Sequence, residues 1–183
     1  MMTRVDVSGK AKEIRAKVIV EYMRENNITQ CVCFSCGNAS RALKQAGARV
    51  VEIAPKGDLL AGRWWTMAEI RRTFPTCFDA TSGHLPVDLL VKVAERLRLE
   101  LAEVFKAGGT YCVPTGSGET VLCLAMAFPQ CQFLAEYNNA NPATKYDEQA
   151  PLNAFIRAFV PNNIQNKPIS GDLSAFRSGS GKL

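Results

Sequence analysis

The sequence predicts an α/β fold, three layers in αβα order around a mainly parallel sheet. Two segments carry that prediction, because each runs from an apolar strand through a turn of small residues into a helix start: Cys31 to Gly47 and Thr110 to Phe128. A third observation agrees. Strand-like and helix-like stretches alternate along most of the chain, the pattern of crossovers between parallel strands.

The elements follow in order. Ser8 is placed to cap a helix from Gly9 to Asn26, with Ile14, Val18, Ile19 and Tyr22 at helical spacing. Asn26-Asn27 ends it, and Gln30 to Phe34 reads as a buried strand. The first turn follows, then a helix stopped by Gly47 and a second strand from Arg49 to Ile53, closed by Pro55. Residues 56–65 read as a loop holding the pair Trp64-Trp65, for which core packing outweighs a lid or a partner contact. A short helix over Met67 to Arg72 and a short strand over Thr76 to Phe78 come next. Leu85 to Phe105 reads as one long amphipathic helix, with Leu89, Val93, Leu97 and Leu101 on a single stripe. Gly108-Gly109 breaks it. Strand Thr110 to Val113, the second turn, a helix to Phe128 and strand Gln132 to Glu136 complete the repeating part. Beyond Tyr137 the asparagines and prolines leave only Ala150 to Val160 as a helix.

The chain has 183 residues, 47% hydrophobic and 21% charged, enough for one ordinary core and short for two. The organisation expected is a single α/β domain over residues 1–160, with a smaller subdomain-like part at about 13–60. Residues 161–183, ending in Ser-Gly-Ser-Gly-Lys-Leu, read as a flexible tail.

Seven cysteines sit mostly inside apolar runs, and no apolar stretch behind a basic start suggests a secretory signal, so a cytoplasmic setting is expected. Cys31, Cys33 and Cys36 have C-x-C-x-x-C spacing, but no second ligand cluster accompanies them, and His84 is the one histidine. Buried thiols acting as small hydrophobes explain them better than a metal. The net charge of +5 comes from basic residues interleaved with glutamates, as on a solvated helix face, so nucleic acid is not the expected ligand. No run reaches the roughly 18 apolar residues of a membrane span.

The two turns are where chemistry is expected. Unpaired N–H groups at a helix start hold phosphate or carboxylate, and glycine lets the backbone approach closely. Gly116-Ser117-Gly118 is the firmer of the two, though the turn alone does not specify its anion. It is not a P-loop, because the G-x-x-x-x-G-K-[ST] pattern is absent.

Three pieces in this order, Ser8-Gly9-Lys10-Ala11-Lys12, Ser35-Cys36-Gly37-Asn38 and Gly116-Ser117-Gly118-Glu119-Thr120, resemble the fold-type II pyridoxal-phosphate enzymes, the group of tryptophan synthase β-subunit, cysteine synthase and threonine deaminase. The resemblance covers Ser8 to Pro55 and Cys77 to Glu136, in a shortened chain. It implies a tryptophan synthase β-like fold and pyridoxal 5'-phosphate as cofactor. It further implies a small amino-acid substrate, a β-elimination or β-replacement reaction, and a homodimer. Lys10, two after Ser8, is the implied Schiff-base lysine and base, and Lys12 stands where relatives often carry Arg or Asn. Asn38 would reach the cofactor ring. Gly116, Ser117, Gly118, Glu119 and Thr120 would hold its phosphate, and Ser170 its pyridine nitrogen. Ser35, Cys36, Gly37, Ala39 and Ser40 would hold the substrate carboxylate. Glu119 departs from the pattern, standing where relatives have glycine, and would repel a phosphate unless its side chain points away.

Two other function classes remain open on sequence. One is a non-catalytic protein that keeps both turns for a phosphorylated metabolite or nucleotide. The other is a Rossmann-like transferase drawing on Asp79, Ser82, His84 and Asp88.

Overall fold

The computed structural model describes residues 1–34, 38–54, 65–115, 118–137 and 164–168. Within them the chain runs β1 (Met2–Arg4), α1 (Ser8–Glu25), β2 (Gln30–Phe34), α2 (Asn38–Gln45), β3 (Arg49–Ile53) and α3 (Met67–Thr73). It continues through β4 (Phe78–Asp79), α4 (Val87–Glu100), β5 (Thr110–Thr115), α5 (Glu119–Ala127), β6 (Gln132–Tyr137) and β7 (Ile164–Pro168). The protein is α/β, and among the described residues every strand pairing is parallel. The strands form two small sheets rather than one, with orders β3-β2-β4 and β1-β5-β6-β7.

The crossover β2-α2-β3 forms as expected, with Gln30 level with Arg49 and Phe34 level with Ile53. Alternation along β2 serves two layers. Cys31 and Cys33 enter the main core, whereas Val32 meets Ile53 and Ile70 in a smaller cluster under α3. Trp65 belongs to that second cluster. It packs against Phe74 at 6.0 Å, and its indole N–H donates to the Ala54 carbonyl at 2.9 Å, so this half of the tryptophan pair is packing.

The main core draws on both sheets. Ile14, Val18 and Ile19 of α1 meet Leu43 of α2, Leu89, Val93 and Leu97 of α4, Leu122 and Leu124 of α5, and Val113 and Phe133 of the second sheet. Burial of this apolar surface is what fixes α1, packed against α2, α4 and α5, across the molecule.

Several elements differ from the expectation. Ser8 is the first helical residue rather than the cap. The Asp6 carboxylate accepts both its N–H, at 3.1 Å, and its hydroxyl, at 2.6 Å. The long helix stops at Glu100 rather than Phe105. Phe105 turns instead into an aromatic cluster with Tyr111 at 4.9 Å, Phe128 at 4.8 Å and Phe133 at 5.6 Å. Gly109 has to be small there, because a Cβ would lie 2.6 Å from the Tyr111 ring. The strand near Cys77 is Phe78–Asp79, and strands β1 and β7 have no counterpart in the sequence reading. β7 falls inside the stretch expected to be a flexible tail and pairs with β6, Phe133 level with Ile164. The helix expected over Ala150 to Val160 lies outside the described residues, as does the chain after Pro168. Among the described residues no helix is long and apolar enough to cross a membrane.

Candidate functional site

The chemistry-bearing side chains gather around α1. On an α-helix residues two apart point about 200° away from each other, while residues three apart share a face. Lys10 and Lys12 therefore diverge, and Arg15 goes with Lys12.

Lys10 lies on the outer face. Its ammonium sits 3.1 Å from Glu100 and 3.4 Å from Glu13, and the side chain is 42% exposed. The hydrogen bond to Glu100, ahead of its Coulombic attraction and the Glu13 contacts, raises the Lys10 pKa above the ordinary lysine value. An amine held protonated by two carboxylates is poorly suited to forming an imine. Lys12 is half-buried, and the loss of hydration pushes its pKa down; Asp6 opposes this, and the Arg15 cation reinforces it. Cys33 is close enough to act on it as well.

Arg15 is a charged residue on the apolar stripe of α1, 5% exposed. Its guanidinium forms a buried ion pair with Glu119, the first residue of α5, and donates a further bond to the Ala80 carbonyl at 2.9 Å. The second Glu119 oxygen accepts from Gly83 N–H at 2.7 Å and lies 3.4 Å from the guanidinium. Burial works against the Arg15 charge, but the attraction of Glu119 outweighs it and raises the pKa. One carboxylate thus ties α1, the start of α5 and the loop after β4. It also answers the concern about Glu119: the side chain is turned inward and its charge is matched. The start of α5, with Gly118 left-handed at φ 85°, keeps the positive end of its dipole.

Cys33 is buried and feels the charges of this group. Burial pushes its thiol up to about 11; Arg15 lowers it, and Glu119 and Asp79 raise it. Burial also pushes Cys31 up to about 12 and raises Cys123. Burial thus favours the protonated thiol at all three, which suits packing rather than nucleophilic attack. Among the described residues no cluster of three His, Cys, Asp or Glu could hold a metal ion.

The other expected residues divide. Asn38 is buried at the head of α2, 4% exposed, with Ala39 half-buried beside it. The Ser40 hydroxyl is committed to Glu52 on β3 at 2.5 Å, and Lys44 holds the same carboxylate at 2.9 Å. Thr120 is half-buried in the first turn of α5. Ser35, Cys36, Gly37, Gly116, Ser117 and Ser170 lie outside the described residues. Of the four polar residues considered for a transferase, Asp79 and His84 meet, their carboxylate and Nδ1 2.8 Å apart, while Ser82 is half-buried and Asp88 is exposed on the first turn of α4. Sequence reasoning missed Arg15. Its signal was an arginine between Ala11, Ile14, Val18 and Ile19, where the stripe calls for an apolar residue.

No family profile matches the chain, and no curated protein matches it.

Proposed function

We propose that the protein is a pyridoxal-phosphate-dependent enzyme with a reduced tryptophan synthase β-like fold, acting on a small amino acid by β-elimination or β-replacement, with Lys12 rather than Lys10 as the working amine. The observation that carries this reading is the contrast between the two lysines. Lys12 is desolvated and next to a fixed cation, so it releases its proton more readily than an ordinary lysine. Lys10 is surrounded by carboxylates.

The residues present fit the cofactor in two respects. Lys12 lies on the inward face of α1 close to Cys33, one residue from the end of β2 and hence from the turn that leads to Asn38. The matched charge of Glu119 leaves the N-terminus of α5 able to accept a phosphate, with Gly118 and Thr120 at its first turn. When bound, pyridoxal phosphate supplies an electron sink that stabilises negative charge at the substrate α-carbon. Lys12 would hold the cofactor and move the α-proton, Asn38 would meet the ring without adding charge, and the head of α2 would take the substrate carboxylate. Gly116, Ser117 and Ser170 keep their proposed roles at the phosphate and the ring nitrogen.

The test is an absorbance titration of the purified protein with pyridoxal phosphate, followed by borohydride reduction and peptide mapping. The expected result is a visible absorption band, with the reduced label on Lys12, lost in Lys12→Ala and kept in Lys10→Ala. Label on Lys10, or scattered over exposed lysines, contradicts the assignment of the amine. Phosphate binding with no labelled lysine at all favours the non-catalytic binding protein.

A further inference from the structure

The loop after β4 is built with more order than a connection requires. Asp79 ends the strand, and its Oδ1 accepts Thr81 N–H at 3.0 Å. His84 N–H donates to the Thr81 carbonyl at 3.0 Å, closing a turn in which Gly83 is left-handed at φ 89°. Glu119 holds Gly83 N–H from the other side. The second Asp79 oxygen then lies 2.8 Å from His84 Nδ1, both side chains being about nine-tenths buried.

That contact bears on where the neutral ring carries its proton. A carboxylate only accepts, so Nδ1 donates its hydrogen to Asp79, and the lone pair of the neutral ring is on Nε2. Within the same turn the Thr81 hydroxyl is fully buried and has no hydrogen-bond partner among the described residues. Buried hydroxyls nearly always have one. An oriented imidazole and a hydroxyl with no partner among the described residues thus stand three residues apart in one turn.

We propose that the Asp79–His84 turn is a proton-transfer site for a small ligand bearing a hydroxyl or ammonium group, with His84 Nε2 as the base, Asp79 as the positioning residue and the Thr81 hydroxyl as a ligand contact. The ligand O–H or N–H bond breaks as its proton passes to Nε2, giving an imidazolium whose other proton stays on Nδ1, hydrogen-bonded to the Asp79 carboxylate, and the Nε2 proton then returns to the product. This goes beyond the cofactor reading and stands without it.

His84 is the one histidine of the chain, which makes the test clean. Folded protein, with no cofactor added, is treated with diethyl pyrocarbonate, and the imidazole nitrogens are observed by 15N NMR. The expected result is modification of His84 and a spectrum showing Nδ1–H with a bare Nε2. In Asp79→Asn, whose amide can donate to Nδ1 and reverse the tautomer, modification falls about tenfold or more. An Nε2–H tautomer in the wild-type protein overturns the proposal. So does a His84 that resists modification when folded yet reacts when unfolded. Both readouts come from the wild-type chain, so they decide the matter even if the variant fails to fold.

Discussion

The two faces of α1 carry the same kinds of charge in opposite settings. Outside, Lys10 and Lys17 share Glu13 in water, with Lys10 also on Glu100. Inside, Arg15 and Glu119 form a pair that is about 5% exposed, with Lys12 one turn away. Hydrated pairs are nearly neutral in their contribution to stability, whereas each buried partner depends on the other for its compensation. The position around the helix, not the residue type, decides that the pKa of Lys12 is lowered and that of Lys10 raised, and places the Arg15 charge in the core.

The largest effect separating the two faces is expected at the buried pair. Glu119→Gln or Arg15→Met should lower unfolding free energy by about 3–5 kcal/mol, since either leaves a buried charge unmatched. Urea denaturation at neutral pH measures it. Replacing both by Met and Leu should recover much of the loss, but not all, because Gly83 N–H then lacks its acceptor. A loss below about 1 kcal/mol for either single variant would put the pair in the same class as the outer ones.

A smaller effect, of opposite sign, is expected at Thr81. Thr81→Val keeps the shape and removes a hydroxyl that has no partner among the described residues, so the midpoint of denaturation should rise, by about 1 kcal/mol of stability. A comparable loss would mean that the hydroxyl is hydrogen-bonded. The smallest effect belongs to the outer face. Glu13→Gln should cost under about 1 kcal/mol, and less again in high salt, which screens exposed pairs.

The same contrast explains what the sequence revealed. Strands β2 and β3 were legible to the residue because apolar runs bounded by Asn-Asn, Gly47 and Pro55 are local signals. The stripe Leu89, Val93, Leu97 was legible for the same reason. β1 and β7 were not: Met-Thr-Arg and Ile-Gln-Asn-Lys-Pro show no apolar period and become strands through pairing with β5 and β6. At the site, the partners of the buried charges were not legible. Arg15 and Glu119 are 104 positions apart, and no local pattern links them. The choice between Lys10 and Lys12 depended on helix phase relative to β2, which the Ser-x-Lys spacing does not contain.

The central claim, that the inward face of α1 carries the reactive amine, is tested most directly by reductive methylation of the folded protein across a pH series, with Lys10 and Lys12 followed separately by mass spectrometry. Only the neutral amine reacts. A lysine whose folded pKa is lowered must therefore begin to react at lower pH than an ordinary exposed lysine, and one whose pKa is raised must begin later. The account predicts that Lys12 titrates below the ordinary lysine value and Lys10 above it. The reverse order, or the same midpoint for both, would contradict it.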